Sequence, residues 1–180
     1  MPIAGRGWEI LVKRTGTQRR ASDGKMRTVG TYQVFHHGGP VAGLTGMTAE
    51  SRGPGSNTAK KRRIRAGTYP LATQAGGRYS TLNYTQNANP TALRRPGIEL
   101  LSTGARSEIL IHPGIGFLAS VGCINLCFNL PDADEMISFP GSRKRVIALI
   151  DDMKTFLGAA FPTADGRRIP NACAVIEGEP

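Results

Sequence analysis

Residues 109–126, ILIHPGIGFLASVGCINL, set one histidine, one serine and one cysteine among glycines and aliphatics. Their reading decides how the rest of the chain is arranged. Ile109, Leu110 and Ile111 run into His112, and Pro113 and Gly114 stop the strand there, so the imidazole falls at a strand terminus. Ten residues separate His112 from Cys123, enough for a loop that brings the Cys123 strand back beside the His112 strand. The two side chains are then expected to face each other at one edge of a sheet, which would give a thiol nucleophile a base within reach. Gly122 leaves room where a carbonyl carbon would approach, and the backbone N–H groups beside it are candidates for an oxyanion pocket. The same residues also read as a plain core hairpin, because cysteine is often a small buried hydrophobe and histidine a satisfied structural residue. Zinc is a third reading: His112, Cys123 and Cys127 are soft donors, but a closed site takes four ligands, commonly at tight spacing, and no CxxC is present.

Upstream, the pattern is one of short strands between glycine-rich turns. WEILVKR at 8–14 and GTYQVFH at 30–36 read as strands, the second with Tyr32, Val34 and His36 on one face. After a turn at Gly38, Gly39 and Pro40, VAGLTGMTAES reads as a partner strand. SRGPGSNTAKKRRIR at 51–65 is expected to be a solvated, mobile loop, with anion binding as the alternative. GTYPLAT at 67–73 resumes a strand, and a long aperiodic segment follows, in which Tyr79 and Tyr84 are candidate ligand contacts. Further strands are expected at 97–102, 108–112 and 122–126. Downstream, Asn129 with the acids Asp132, Asp134 and Glu135 predicts a helix over 131–139. A longer helix is expected over 143–161, where Val146, Leu149, Ile150, Met153 and Leu157 recur at three- and four-residue steps. NACAVIEG reads as a closing strand. The expected class is mainly β with flanking helices, α+β, in a single domain over 1–180.

The length of 180 residues suits one core, and no apolar run approaches the roughly 18 residues a spanning helix needs. Membrane insertion is therefore not expected. Three cysteines do not form a disulfide framework and suit synthesis in a reducing compartment. A net charge of +10 points to an anionic partner. Nucleic acid is the weaker choice, since no basic strand interleaved with aromatics offers a stacking platform.

The order His112, then Ser120-x-Gly122-Cys123-Ile124, resembles the active-site signature of the L,D-transpeptidase (YkuD-like) catalytic domain. IRAGTYPL at 64–71 is similar to the strand that precedes that signature, and PDADEMI to the short helix after it, so the resemblance covers 64–139. It implies a sheet-rich β-sandwich, with Cys123 as nucleophile and His112 as base. The substrate would be a peptidoglycan stem peptide, attacked at its L–D bond. The acyl group would pass to an amine, giving cross-linking or D-amino-acid exchange, or to water, giving carboxypeptidase activity. A backbone carbonyl at Pro113 or Gly114 would orient the imidazole, Ser120 would line the site, and the Gly122 and Cys123 N–H groups would hold the oxyanion. Val121, Asn125 and Tyr84 would contact substrate, although Asn125 stands where the family usually carries arginine. The chemistry needs no cofactor and no metal. The short His-to-Cys interval resembles compact variants among secreted antibacterial effectors and phage-associated proteins. With no secretory signal at the N-terminus, synthesis in the cytoplasm and delivery by a type VI kind of apparatus into a target cell's periplasm are expected, with an immunity protein as a further partner. Two alternatives stand beside this: a non-catalytic basic module that binds anionic wall polymer or nucleic acid through 60–65, and a Cys/His hydrolase acting on another amide.

Overall fold

The computed structural model describes residues 3–180. Its strands are β1 (Trp8–Arg19), β2 (Met26–His36), β3 (Gly39–Ser51), β4 (Gly67–Thr73), β5 (Tyr79–Ser80), β6 (Arg95–Pro96), β7 (Ile98–Leu100), β8 (Leu110–Pro113), β9 (Ile124–Cys127) and β10 (Arg168–Glu177). One helix, α1 (Phe139–Leu157), is followed by a 3-10 turn, Gly158–Ala160. Eight of the strands close into a barrel in the order β1-β10-β4-β7-β8-β9-β3-β2, while β5 and β6 form a separate small ribbon in the long segment before β7. The mainly β, single-domain expectation holds. The sheet is a barrel rather than two stacked layers.

Alternation explains how the barrel fills. Trp8, Ile10 and Val12 from β1, Tyr32 and Val34 from β2, and Leu71, Leu100, Ile111, Ile124 and Leu126 from the other wall share one buried cluster. Each fully buried aliphatic there contributes roughly 1.5–3 kcal/mol. The inward face of α1, carrying Val146, Leu149, Ile150 and Met153, joins the same cluster. Trp8 Nε1 donates to Asp152 Oδ2 at 2.7 Å, and His36 Nε2 lies 2.7 Å from the same oxygen, so the helix is tied to β1 and β2 without an orphaned indole N–H. Among the described residues, no helix is long and apolar enough to cross a membrane.

Three expectations are corrected. The helix expected over 131–139 does not form. The Asp132 carboxylate accepts the N–H groups of Asp134 and Glu135, which makes a turn, and Ile137 then pairs with Gly116 as an extended bridge. The helix starts instead at Phe139, where Ser138 caps it and Pro140 sits in its first turn. The 51–65 segment is not a free loop, because Arg63 is buried and donates to Thr28 Oγ1, Glu179 Oε2 and the Pro180 carbonyl. Finally, the 109–126 stretch is not a hairpin. β8 and β9 pair in parallel, with Ile111 opposite Ile124 and His112 opposite Asn125. The intervening loop crosses over and returns the chain in the same direction, and β9 inserts between β8 and β3.

Candidate active site

Parallel pairing puts His112 and Asn125 on the face opposite Ile111 and Ile124, so aliphatics fill the barrel while the polar pair sits outside it. His112 is buried by what covers that face. Its ring centroid is 4.5 Å from that of Tyr79, and the Arg95 guanidinium lies 4.6 Å from the same tyrosine ring. His112 Nδ1 donates to the Pro113 carbonyl at 2.9 Å, which leaves Nε2 as the basic nitrogen. Burial, with Arg95 adding to it against the Pro113 hydrogen bond, lowers the imidazole to about 4. The imidazole is therefore neutral at physiological pH.

Cys123 stands one residue before β9 and is half-buried. Its Sγ accepts the Leu110 N–H at 3.3 Å and donates to the Glu108 carbonyl at 3.5 Å; among the described residues it makes no hydrogen bond to His112. Burial pushes the thiol up, while the Leu110 N–H and the charge of Arg106 act the other way. The resting pair is thus a neutral thiol and a neutral imidazole that share a cleft but do not face each other at a sheet edge: the parallel register pairs His112 with Asn125, and the thiol rests on Leu110 and Glu108. Thiol and imidazole line this cleft of about 590 Å³ together with Gln74, Arg78, Tyr79 and Leu93. A second cleft of about 310 Å³, with Lys60, Arg106 and Ser107 on its wall, shares Glu108, Val121 and Cys123 with the first, so the thiol stands where the two meet.

The loop before the thiol is built from its own polar atoms. Ser120 Oγ donates to the Cys123 carbonyl at 2.6 Å and accepts the Gly122 N–H at 3.0 Å. Arg106 donates to the carbonyls of Val121, Arg62 and Ser56, which fastens this loop to the basic segment. Gly122 has φ 126°, and a Cβ there would overlap the Arg106 guanidinium, so glycine is required on both counts.

The structure brings together Cys123, His112, Pro113, Ser120, Val121 and Gly122. It sets Tyr84 apart and gives Asn125 and Gly114 supporting contacts in place of the expected ones. Tyr84 packs against the main core, with Lys154 Nζ 6.0 Å from its ring, and lines neither cleft. Asn125 is fully buried: its Nδ2 donates to the His112 carbonyl at 3.2 Å and its Oδ1 accepts the Ala119 N–H at 3.3 Å, so it holds the base and the loop rather than substrate. Gly114 gives its N–H to Ser142 Oγ at 2.8 Å, and that hydroxyl also donates to the Leu126 carbonyl, joining α1 to β8 and β9. Cys127 lies in a separate apolar cluster with Val29, Ala49 and Leu130. Among the described residues, no three His, Cys, Asp or Glu side chains are grouped to hold a metal ion. Sequence reading missed Arg106, Glu108 and Arg95, which belong to no motif, and it took Gly122 as room for an approaching carbonyl, whereas the Arg106 guanidinium and the Arg62 carbonyl fill that side.

No protein-family model matches the chain, and comparison with curated proteins and with solved structures finds no match either.

Proposed function

We propose that the protein is a cysteine acyl-enzyme of the L,D-transpeptidase kind, acting on peptidoglycan stem peptides. The observation that carries this reading is one cleft lined by both Cys123 and a neutral, backbone-oriented His112, at the ends of adjacent strands. The Ser120-x-Gly122-Cys123-Ile124 signature supplies the substrate class.

In this mechanism the Cys123 thiol rotates from the Glu108 carbonyl to His112 Nε2 as the peptide carbonyl docks. The imidazole takes the proton while sulfur bonds to the carbonyl carbon. Because the Gly122 N–H is engaged by Ser120, the Cys123 N–H is the oxyanion donor. Collapse of the tetrahedral adduct expels the amine of the D-residue, which receives the proton from the imidazolium and leaves a thioester. A second amine or a water, deprotonated by His112, then attacks the thioester and releases Cys123. The second cleft gives that acceptor a place beside the thiol, which favours transfer alongside hydrolysis. The surplus positive charge suits an anionic wall, and the compact signature suits an antibacterial effector acting in a target cell's periplasm.

Cys123→Ala is the direct test. Muropeptides incubated with the unmodified chain are expected to lose the terminal D-residue of their tetrapeptides or to exchange it, and the variant is expected to leave them intact. Equal processing by both proteins would sink the proposal.

A further inference from the structure

Val121 and Ser120, which frame the nucleophile loop, also border a third concavity of about 520 Å³. Its apolar part comes from Met26, Phe117 and Leu118, and Arg20, Lys25, Arg52 and Lys61 line it with no carboxylate among the lining residues. Arg20 and Lys25 are partly neutralised by Asp23. Arg52 and Lys61 are exposed and make no ion pair among the described residues. One wall is fixed to the nucleophile loop, because Ser51 Oγ donates to the Ser120 carbonyl at 3.2 Å.

We propose that this groove is a carboxylate-binding subsite, which receives the acidic groups of the same peptide whose carbonyl reaches Cys123; the inference rests on the acyl-transfer reading above. Val121 lines this groove as well as both clefts at the thiol, so a peptide extended at about 3.3–3.6 Å per residue has a continuous path from Cys123 over Val121 into the groove. The volume suits a short peptide segment rather than a polymer track. The apolar part covers the hydrocarbon portion of such a segment. Arg52 offers a planar fork that matches a carboxylate, and Lys61 adds a mobile point charge. The net charge thereby acquires a local purpose next to the reacting thiol.

The experiment is calorimetric binding to the full chain carrying Cys123→Ala, which prevents turnover. Two synthetic tetrapeptides are compared, one with free carboxylates and one with every carboxylate amidated. The free form is expected to bind about tenfold more tightly, as two or three solvent-exposed ion pairs allow, with the advantage shrinking in high salt. Adding Arg52→Ala and Lys61→Ala should make the two peptides bind equally. Equal affinities before those substitutions, or an undiminished preference after them, would overturn the subsite. Turnover by the unsubstituted chain separates the two proposals. A preferred peptide that is never processed defeats the acyl-transfer reading and leaves the groove standing; processing without any preference does the reverse.

Discussion

At the scale of single residues, the protonation states of Cys123 and His112 decide how the site works. A preformed thiolate–imidazolium pair would need the imidazole raised and the thiol lowered, yet burial does the opposite to both. Iodoacetamide should therefore modify Cys123 slowly at pH 6, and the rate should climb through and beyond the ordinary thiol range of about 8.5. A fast, pH-independent plateau beginning near pH 4 would refute the neutral pair. Pro113 fixes the tautomer of His112 and Asn125 holds its backbone, so the ring needs no charge to stay in place. His112 and Cys123 were readable as strand-end residues. Asn125 was not readable as a support, because its partners, the His112 carbonyl and the Ala119 N–H, are set by the β8–β9 register.

Among the elements, the end of β3 links the barrel to the loop before Cys123. Glu50 makes a two-pronged ion pair with Arg14 of β1, Nε to Oε2 and Nη2 to Oε1 both at 2.8 Å, and both side chains are buried. Arg14 also reaches the Ile64 carbonyl, and the next residue along β3, Ser51, holds the Ser120 carbonyl. Glu50→Gln removes the two-pronged partner and leaves the buried guanidinium only the longer, partly exposed Glu179 contact at 3.3 Å, so urea unfolding should show a loss of about 3 kcal/mol. A loss below about 1 kcal/mol would mean the pair behaves as an exposed one. The helix follows from sequence by the same local logic: Val146, Leu149, Ile150 and Met153 fall on the buried face, as their spacing predicts. The failed helix over 131–139 shows the limit of that logic, since an acid-rich start served equally well as an Asp132-centred turn.

For the whole molecule, buried titratable groups bound stability on both sides of neutrality. His112 is lowered in the fold to about 4, against 6.5 when unfolded. Between those values the unfolded chain binds a proton that the native state does not, so stability falls as pH drops from about 6.5 towards 4. The loss is roughly 3 kcal/mol from this residue. On the alkaline side, burial pushes Cys127 up to about 12 and Cys173 up to about 11, so stability present below pH 9 is lost as the unfolded thiols ionise. Urea midpoints measured from pH 7 down to pH 4 should fall for the unmodified chain and fall less for His112→Gln. Parallel curves would show that His112 contributes nothing to the acid limb.

The sequence by itself determined what depends on neighbours along the chain: two-residue alternation marked the strands, three- and four-residue steps marked α1, and Pro113 and Gly114 placed His112 at a strand end. Tertiary structure decided what depends on remote partners. Closure of the barrel, the insertion of β9 between β8 and the distant β3 that makes the β8–β9 pairing parallel rather than a hairpin, the Arg106 guanidinium behind Gly122 and the Tyr79 ring against His112 are all set by contacts beyond the immediate neighbours along the chain. Local periodicity fixes which face a side chain occupies. Which strand lies beside it follows only from the burial and hydrogen bonding of the assembled barrel.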